Sequence, residues 1–352
     1  MTVGVHKRLV FFEKWIDPVA EAMIAEVPGV EVVRLTYDAP AEDNWRVMAD
    51  AHFYQIAPGA ELKEPWFGSR ELLAACPNLL AICTPGVGYD IIDVAACTEA
   101  GVIVVNQGGA NSAAVAEHAL GLMLALSKKI VVADRALRQP GRLDRFLFTG
   151  NELHGKTVGI VGFGDIGACL AKLCRAFDMT VLAYDPQLSE ERIGVRGARK
   201  VSLDELLRAS DFVSLHCPLN AHTDRMIGRN QFALMKPTAY FITTARGGIH
   251  KEDDLFEALN ERRIAGAGLD VFLDEPPDHR HPLLTLDSVV ATPHNAGLTV
   301  EAKQSMAVSA VRQWTSIIGG GPPRSVVNPA AWDRYCVRFE HLMGIRPRRA
   351  AD

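Results

Sequence analysis

"TVGIVGFGDIGACLAKLCRAF", residues 157–177, begins as an apolar strand run ending at Gly162 and finishes as a helix, with Gly162, Gly164 and Gly167 in G-x-G-x-x-G spacing between the two. Beyond the loop, Ile166, Cys169, Leu170, Leu173, Cys174 and Phe177 fall on one helical face. Three spaced glycines are a weak signal in a chain with 29 of them, and the strand–turn–helix context is what makes them informative. Gly162 permits the tight turn, Gly164 lets the backbone approach a pyrophosphate, and Gly167 allows close helix packing, while the free N–H groups at the helix start suit an anion. The next strand run, "TVLAY", delivers Asp185 18 residues after Gly167. A carboxylate there accepts from both hydroxyls of an adenosine ribose and repels a 2′-phosphate, so NAD is the expected cofactor.

The same alternation extends outward in both directions. The runs "RLVFF", "VEVVRL", "LLAIC", "VIVVN", "DFVSL", "AYFIT" and "AGLDV" are separated by helix-period segments, which predicts an α/β protein with parallel sheets. One such helix is legible at its start: in "SLDELLRAS", Ser202 and Glu205 have capping-box spacing ahead of the stripe Leu203, Leu206 and Leu207. At 352 residues the chain suits two domains of roughly 150 residues each, with a cleft between them. The longest helical pattern, from Ser112 to Arg138, carries Ala114, Val115, His118, Leu122 and Leu126 on one face and is placed to join them. After "VVNPAAW" the last twenty residues become arginine-rich, and read as a docked helix or a partly disordered tail.

Composition narrows the function classes. There are 37 Lys+Arg against 42 Asp+Glu, so a net charge of -5 leaves no broad basic footprint for nucleic acid. The seven cysteines form no C-x-x-C pair and no zinc-ligand rhythm, and read as reduced and mostly buried. No metal is expected. The "MTVGVHKRLVFF" start has no signal-peptide h-region, and the apolar stretch 113–133 is interrupted by Glu117, His118, Lys128 and Lys129, so the expectation is a cytoplasmic protein off the membrane. His279 and His281, in "PPDHRHPLL", lack partners at metal spacing and read as solvated loop residues, and His118 reads as structural.

Three further segments end or follow strand runs: "TTARGG" (243–248), "GLDVFLDEPP" (268–277) and "TPHNAG" (292–297). In a doubly wound sheet such ends line the ligand crevice, so Arg246, Glu275 and His294 are expected to converge. Each alone has an ordinary explanation, as a surface turn, a solvated acid or one of eleven histidines. Together with "GVGYDIIDVAACTEAGVIVVN", "AVAEHALGLMLAL", "LMKPTAYFITTARGG" and the glycine loop, in this order, they give a chain that from about residue 75 to 328 resembles the D-isomer-specific 2-hydroxyacid dehydrogenases.

The resemblance implies two doubly wound parallel-sheet domains, one flavodoxin-like and one Rossmann-like. Residues 1–106 plus 298–330 would form the substrate domain, 107–297 the NAD-binding domain and 331–352 a tail. It implies that Arg246 binds the carboxylate of a small 2-oxo or 2-hydroxy acid and polarises its carbonyl, that His294 is the acid/base, and that Glu275 is its partner. Asp270 would hold the nicotinamide carboxamide, and the amides of Val87 and Gly88 would grip the carboxylate from the other domain. Cofactor contacts would also come from Asp165, Ile166, Cys217, Pro218, Thr244 and Ala245. A homodimer is implied, with the 112–138 helix resembling the family's dimer contact.

Departures are few. Thr243 stands where asparagine is common, and His250 and Lys251 replace a usual valine and aspartate. Formate dehydrogenases place glutamine where Glu275 stands. The loop "HFYQIAPGAELKEPW" offers aromatics and Gln55 but no arginine, which disfavours a phosphorylated substrate. Two rival readings keep the fold: a corepressor-like NAD(H)-binding module, supported only by the basic tail, and a dehydrogenase of phosphite or a similar oxyanion.

Overall fold

The computed structural model describes residues 6–57 and 61–348. The extreme N-terminus of "MTVGVHKRLVFF", residues 58–60 of the "HFYQIAPGAELKEPW" loop and the last four residues of the tail lie outside the described residues. The chain divides into two units, Met1–Asn111 with Thr299–Asp352, and Ser112–Leu298. The crossovers thus fall at 111/112 and 298/299.

In the first unit β1 (Lys7–Phe12), β2 (Val30–Leu35), β3 (Phe53–Gln55), β4 (Ala81–Cys83) and β5 (Ile103–Val105) form a parallel sheet in the order β2-β1-β3-β4-β5. Alternation along each strand sends residues to opposite faces. Leu9, Phe11, Phe53, Ala81 and Ile103 pack on one side with Trp314, Tyr335 and Phe339. Val10, Phe12, Tyr54, Ile82 and Val104 pack on the other with Met48, Leu72 and Cys97. Two helices from the end of the chain, Val300–Ile318 and Trp332–Met343, therefore cover a sheet built from its beginning. The arginine-rich tail is a docked helix belonging to this unit. Arg334 donates to Glu99 O (2.8 Å), and Arg338 to Ala100 O (3.0 Å) and Pro77 O (2.6 Å). Both satisfy carbonyls at the end of helix Val94–Ala100, where cations also oppose the helix dipole.

The second unit holds β6 (Thr157–Val161), β7 (Thr180–Tyr184), β8 (Arg199–Lys200), β9 (Phe212–Leu215), β10 (Tyr240–Thr243), β11 (Gly266–Leu269) and β12 (Val289–Ala291). All are parallel, in the order β12-β11-β10-β9-β6-β7-β8. The order reverses direction between β6 and β9, which makes their C-terminal ends the ligand-binding switch point of a doubly wound sheet. Helices Ser112–Ser127 and Asp165–Ala176 cover one face through Ala119, Met123, Leu170 and Cys174, and Leu203–Ala209 and Glu252–Asn260 cover the other.

The long helix expected over 112–138 is two helices, Ser112–Ser127 and Ile130–Leu137. Ser127 O accepts from Asn151 N–H (2.7 Å) instead of continuing the helical ladder, and Lys129 turns left-handed (φ 54). All seven cysteines are free, five of them buried. Among the described residues no helix is long and apolar enough to cross a membrane, and no cluster of His, Cys, Asp or Glu is arranged to hold a metal ion.

Candidate functional site

The glycine loop lies where β6 ends. Gly162 has φ +88, and a Cβ there would stand 2.5 Å from Cys217 N, so the turn and the packing of β6 against the end of β9 both require glycine. A Cβ on Gly167 would meet Gly162 O at 2.4 Å, which seats helix Asp165–Ala176 directly on the turn. Gly164, by contrast, has nothing within 4 Å of its missing Cβ. The backbone beside it is open to an approaching group, and the first amides of the helix, from Asp165, Ile166 and Gly167, have no acceptor within the helix. This is a cradle that fits a pyrophosphate.

Asp185 closes the loop from β7. Its Oδ2 accepts from Phe163 N (2.9 Å) and its Oδ1 from Gln187 N (2.9 Å), so the acid also braces the glycine turn while each oxygen keeps a lone pair for a ribose hydroxyl. Arg196 Nη1 reaches Phe163 O (3.3 Å) from the next helix. On the β9 side, burial pushes the Cys217 thiol up to about 11, which leaves it protonated at neutrality. Pro218 O accepts from Thr223 Oγ1 (2.6 Å). Burial lowers His216 to about 4, and the neutral ring lies 2.8 Å from Ser214 Oγ and 3.5 Å from Thr244 Oγ1.

The chemistry-bearing residues leave the ends of three neighbouring strands: Thr244, Ala245 and Arg246 after β10, Asp270 and Glu275 after β11, and His294 after β12. His294 Nδ1 lies 2.6 Å from Glu275 Oε2, and Glu275 Oε1 accepts from Phe272 N (3.0 Å). Burial alone would raise the Glu275 carboxyl, but the His294 hydrogen bond and charge, the Phe272 amide and the charge of Arg246 outweigh it and hold it below the ordinary value. Glu275 is therefore ionised at neutrality. Its neighbour Asp274 is exposed. Arg246 Nη1 donates to Ala245 O (2.6 Å).

Asp270 does more than was expected of it. It is 1% exposed, and its carboxylate accepts from Thr292 Oγ1 (2.6 Å), Asn295 N (3.0 Å) and Ala296 N (3.0 Å), while its carbonyl accepts from His294 N (2.8 Å). One aspartate thus pins the loop that carries the histidine, and His294 is held at φ 51, a left-handed conformation unusual for a side-chain-bearing residue. His118 joins this network, with Nε2 2.9 Å from Thr292 Oγ1 and 3.6 Å from Asp270 Oδ1. Helical periodicity placed it on an apolar face and missed that contact, which lies 174 residues away in sequence. His281 is likewise not solvated. Its Nε2 is 3.1 Å from Glu252 Oε2, and its Nδ1 accepts from Leu283 N (3.3 Å), capping the short helix Pro282–Thr285.

Val87 and Gly88 belong to the first unit, on the loop after β4. Gly86 O accepts from Thr84 Oγ1 (2.8 Å) and Gln107 N (2.9 Å), and Val87 O from Asn106 Nδ2 (2.9 Å). The carbonyls are tied down, whereas the amides of Val87 and Gly88 meet no acceptor among the described residues.

Residues 120–296 match the family model of the D-isomer specific 2-hydroxyacid dehydrogenase, NAD binding domain. The chain belongs to the D-isomer-specific 2-hydroxyacid dehydrogenase family. It is 43% identical over 258 residues to a D-3-phosphoglycerate dehydrogenase of Archaeoglobus fulgidus, covering 73% of this chain and 49% of that one. It is 41% identical over 263 residues to a glyoxylate reductase of Thermofilum pendens, covering 73% and 77%. Among solved structures it is similar to the D-lactate dehydrogenase of Aquifex aeolicus complexed with NAD and lactic acid, with TM-score 0.75, 29% identity and coverage of 89% and 96%. The chain spans about half the length of the D-3-phosphoglycerate dehydrogenase it matches. The glycine cradle, the open face at Gly164 and the acid after β7 fit NAD, the cofactor of the family's domain.

Proposed function

We propose that this chain interconverts a small 2-oxo acid and the corresponding D-2-hydroxy acid, with NAD(H) as redox partner and His294 as acid/base. The observation that supports this most is the 2.6 Å pair of His294 Nδ1 with an ionised Glu275, delivered beside Arg246 by adjacent strand ends. NADH held at the glycine cradle would supply the hydride for reduction, and NAD would accept it for oxidation. Glu275 accepts from Nδ1–H, so Nε2 is the nitrogen left to give a proton to the carbonyl oxygen, or to take one from the hydroxyl. A proton at Nε2, together with the Arg246 guanidinium, would stabilise negative charge developing on that oxygen. The amides of Val87 and Gly88 are proposed to take the substrate carboxylate, and Asp270 to orient the nicotinamide carboxamide while it positions His294.

NADH oxidation with a panel containing glyoxylate, hydroxypyruvate and bulkier 2-oxo acids tests the reading. Positioned acid catalysis contributes roughly 10²–10⁴ in rate, so His294→Ala is expected to lose that much kcat while still binding NADH by fluorescence titration. Near-full activity of this variant would overturn the assignment. The rival corepressor reading rested on a basic tail, and two of its arginines, Arg334 and Arg338, are engaged in docking that tail to its own unit.

A further inference from the structure

Helix Ser112–Ser127 buries most of its apolar residues in the second unit, and from it the half-buried His118 reaches the loop that follows β12. Donor and acceptor roles at this contact follow from the hydrogen count. The Asp270 side chain is wholly buried and accepts from Thr292 Oγ1 at 2.6 Å, and a carboxylate has no hydrogen to give back. A hydroxyl has a single hydrogen, so Thr292 Oγ1 can meet His118 Nε2, 2.9 Å away, only as an acceptor. Nε2 therefore carries a hydrogen, and donation runs from His118 to Thr292 to Asp270, each link polarising the next.

The far end of that chain is the backbone of His294. Its N–H is shared between Asp270 O (2.8 Å) and Thr292 O (3.1 Å), and the Asp270 carboxylate takes the amides of Asn295 and Ala296. A side-chain-bearing residue at φ 51 persists only where its surroundings fix it, and here Asp270 and Thr292 do so. Thr292 is itself held by His118. The helix carrying His118 is the first element after the crossover at 111/112, and the loop 292–296 runs toward the crossover at 298/299, so one hydrogen bond joins the two ends of the second unit beside His294. We propose that His118 is a positioning residue for the reaction: through Thr292 it holds the loop 292–296, and with it His294, in the conformation that pairs Nδ1 with Glu275. The inference rests on the reading of His294 as the acid/base, and it places the effect of His118 on turnover rather than on capture of the cofactor.

The test measures kcat and KM with NADH for the best 2-oxo acid of the panel, and NADH affinity by fluorescence titration, in the full chain and its variants. His118→Leu removes the donor and keeps an apolar side chain on the helix, whereas His118→Gln sets an amide N–H as many bonds from Cβ as Nε2. His118→Leu is expected to lower kcat about tenfold while KM and NADH affinity change less than about threefold, because a slightly misplaced reacting group is costly in rate. His118→Gln is expected to restore kcat to within about threefold by replacing the hydrogen bond. In a Thr292→Val background His118→Leu should cost less than about twofold further, since residues that act through one bond are not additive. Full kcat in His118→Leu overturns the inference, and so does a loss that glutamine leaves unrepaired, that adds to the Thr292→Val loss, or that NADH affinity shares equally. Thermal unfolding checks each variant, and His118→Asn, one bond too short to reach Thr292, replaces His118→Leu if that variant does not fold. An unmodified protein that reduces a 2-oxo acid keeps the parent reading whatever the His118 variants do. Failure to reduce any acid of the panel sinks that reading and the role of His118 with it.

Discussion

At the scale of single residues, the site depends on polar groups that hold other polar groups. His294 sits at φ 51 because Asp270 accepts its backbone N–H and, through its carboxylate, the two amides that follow. None of this was legible from residue spacing. The sequence placed Asp270, Glu275 and His294 near strand ends and the family resemblance supplied roles, but the bracing by Asp270, Thr292 and His118 joins segments far apart in the chain. His250 is a different case. It stands where the family usually has valine, lies 2% exposed, and neither ring nitrogen has a hydrogen-bond partner among the described residues. Burial lowers it to about 4, as it does His216. The unfolded chain therefore takes up protons at these two positions before the folded one does, so their full contribution to stability is present above about pH 6.5 and is lost as pH falls toward 4. Replacing His250 with leucine is expected to stabilise the protein by about 1 kcal/mol near neutrality, and by more at pH 5, by removing two unsatisfied nitrogens. Denaturant unfolding at pH 7.5 and pH 5 checks this, and an unchanged difference between the two pH values would refute it.

At the scale of elements, patterning recovered the strands with long apolar runs and missed those without. β8 is two residues of Arg199–Lys200, and β3 is hidden in the aromatic segment around Phe53–Gln55. These strands are too short for a two-residue period to show, and they exist because a neighbour offers a ladder. The break at Lys129 was invisible for a related reason, since the partner that takes Ser127 O is Asn151, beyond the following helix. The tail helix was ambiguous in sequence because its arginines suggest solvent, whereas Arg338 is anchored on carbonyls of two separate segments, at Pro77 and Ala100. Arg338→Ala is expected to lower stability by about 2 kcal/mol, since hydrogen bonds from charged groups contribute more than neutral ones. Urea unfolding would show it as a lower midpoint at constant slope, and a change within error would mean that water replaces these bonds without loss.

At the scale of the whole molecule, the segment after the first helix of the second unit carries more apolar surface than a solvated loop needs. Leu137, Phe146 and Leu147 are 73%, 71% and 70% exposed, with Ile130 and Leu143 nearby in sequence. The inner helix, Ser112–Ser127, is buried in its own unit, so of the dimer contact expected over 112–138 the helix Ile130–Leu137 is the part left to meet another copy, and the exposed Phe146 and Leu147 beyond it would extend that surface. Sedimentation is expected to show a dimer that Phe146→Asp together with Leu147→Asp weakens at least tenfold, and a monomeric parent protein would contradict it. A second expectation follows from the division of the chain: 112–298 is one continuous unit with both sheet faces covered by its own helices, and expressed alone it should fold cooperatively and bind NADH. An unfolded fragment by circular dichroism would count against that independence.

The first sheet has no such self-sufficiency. Its strands are translated within the first 105 residues, but Trp314, Tyr335 and Phe339, which close one of its faces, come more than 200 residues later. During synthesis this unit must wait, with an apolar surface uncovered, while the middle of the protein is made and folds ahead of it. The stretch of chain most exposed to chaperones and proteases on the ribosome is therefore residues 7–105, which must await helices made long after them.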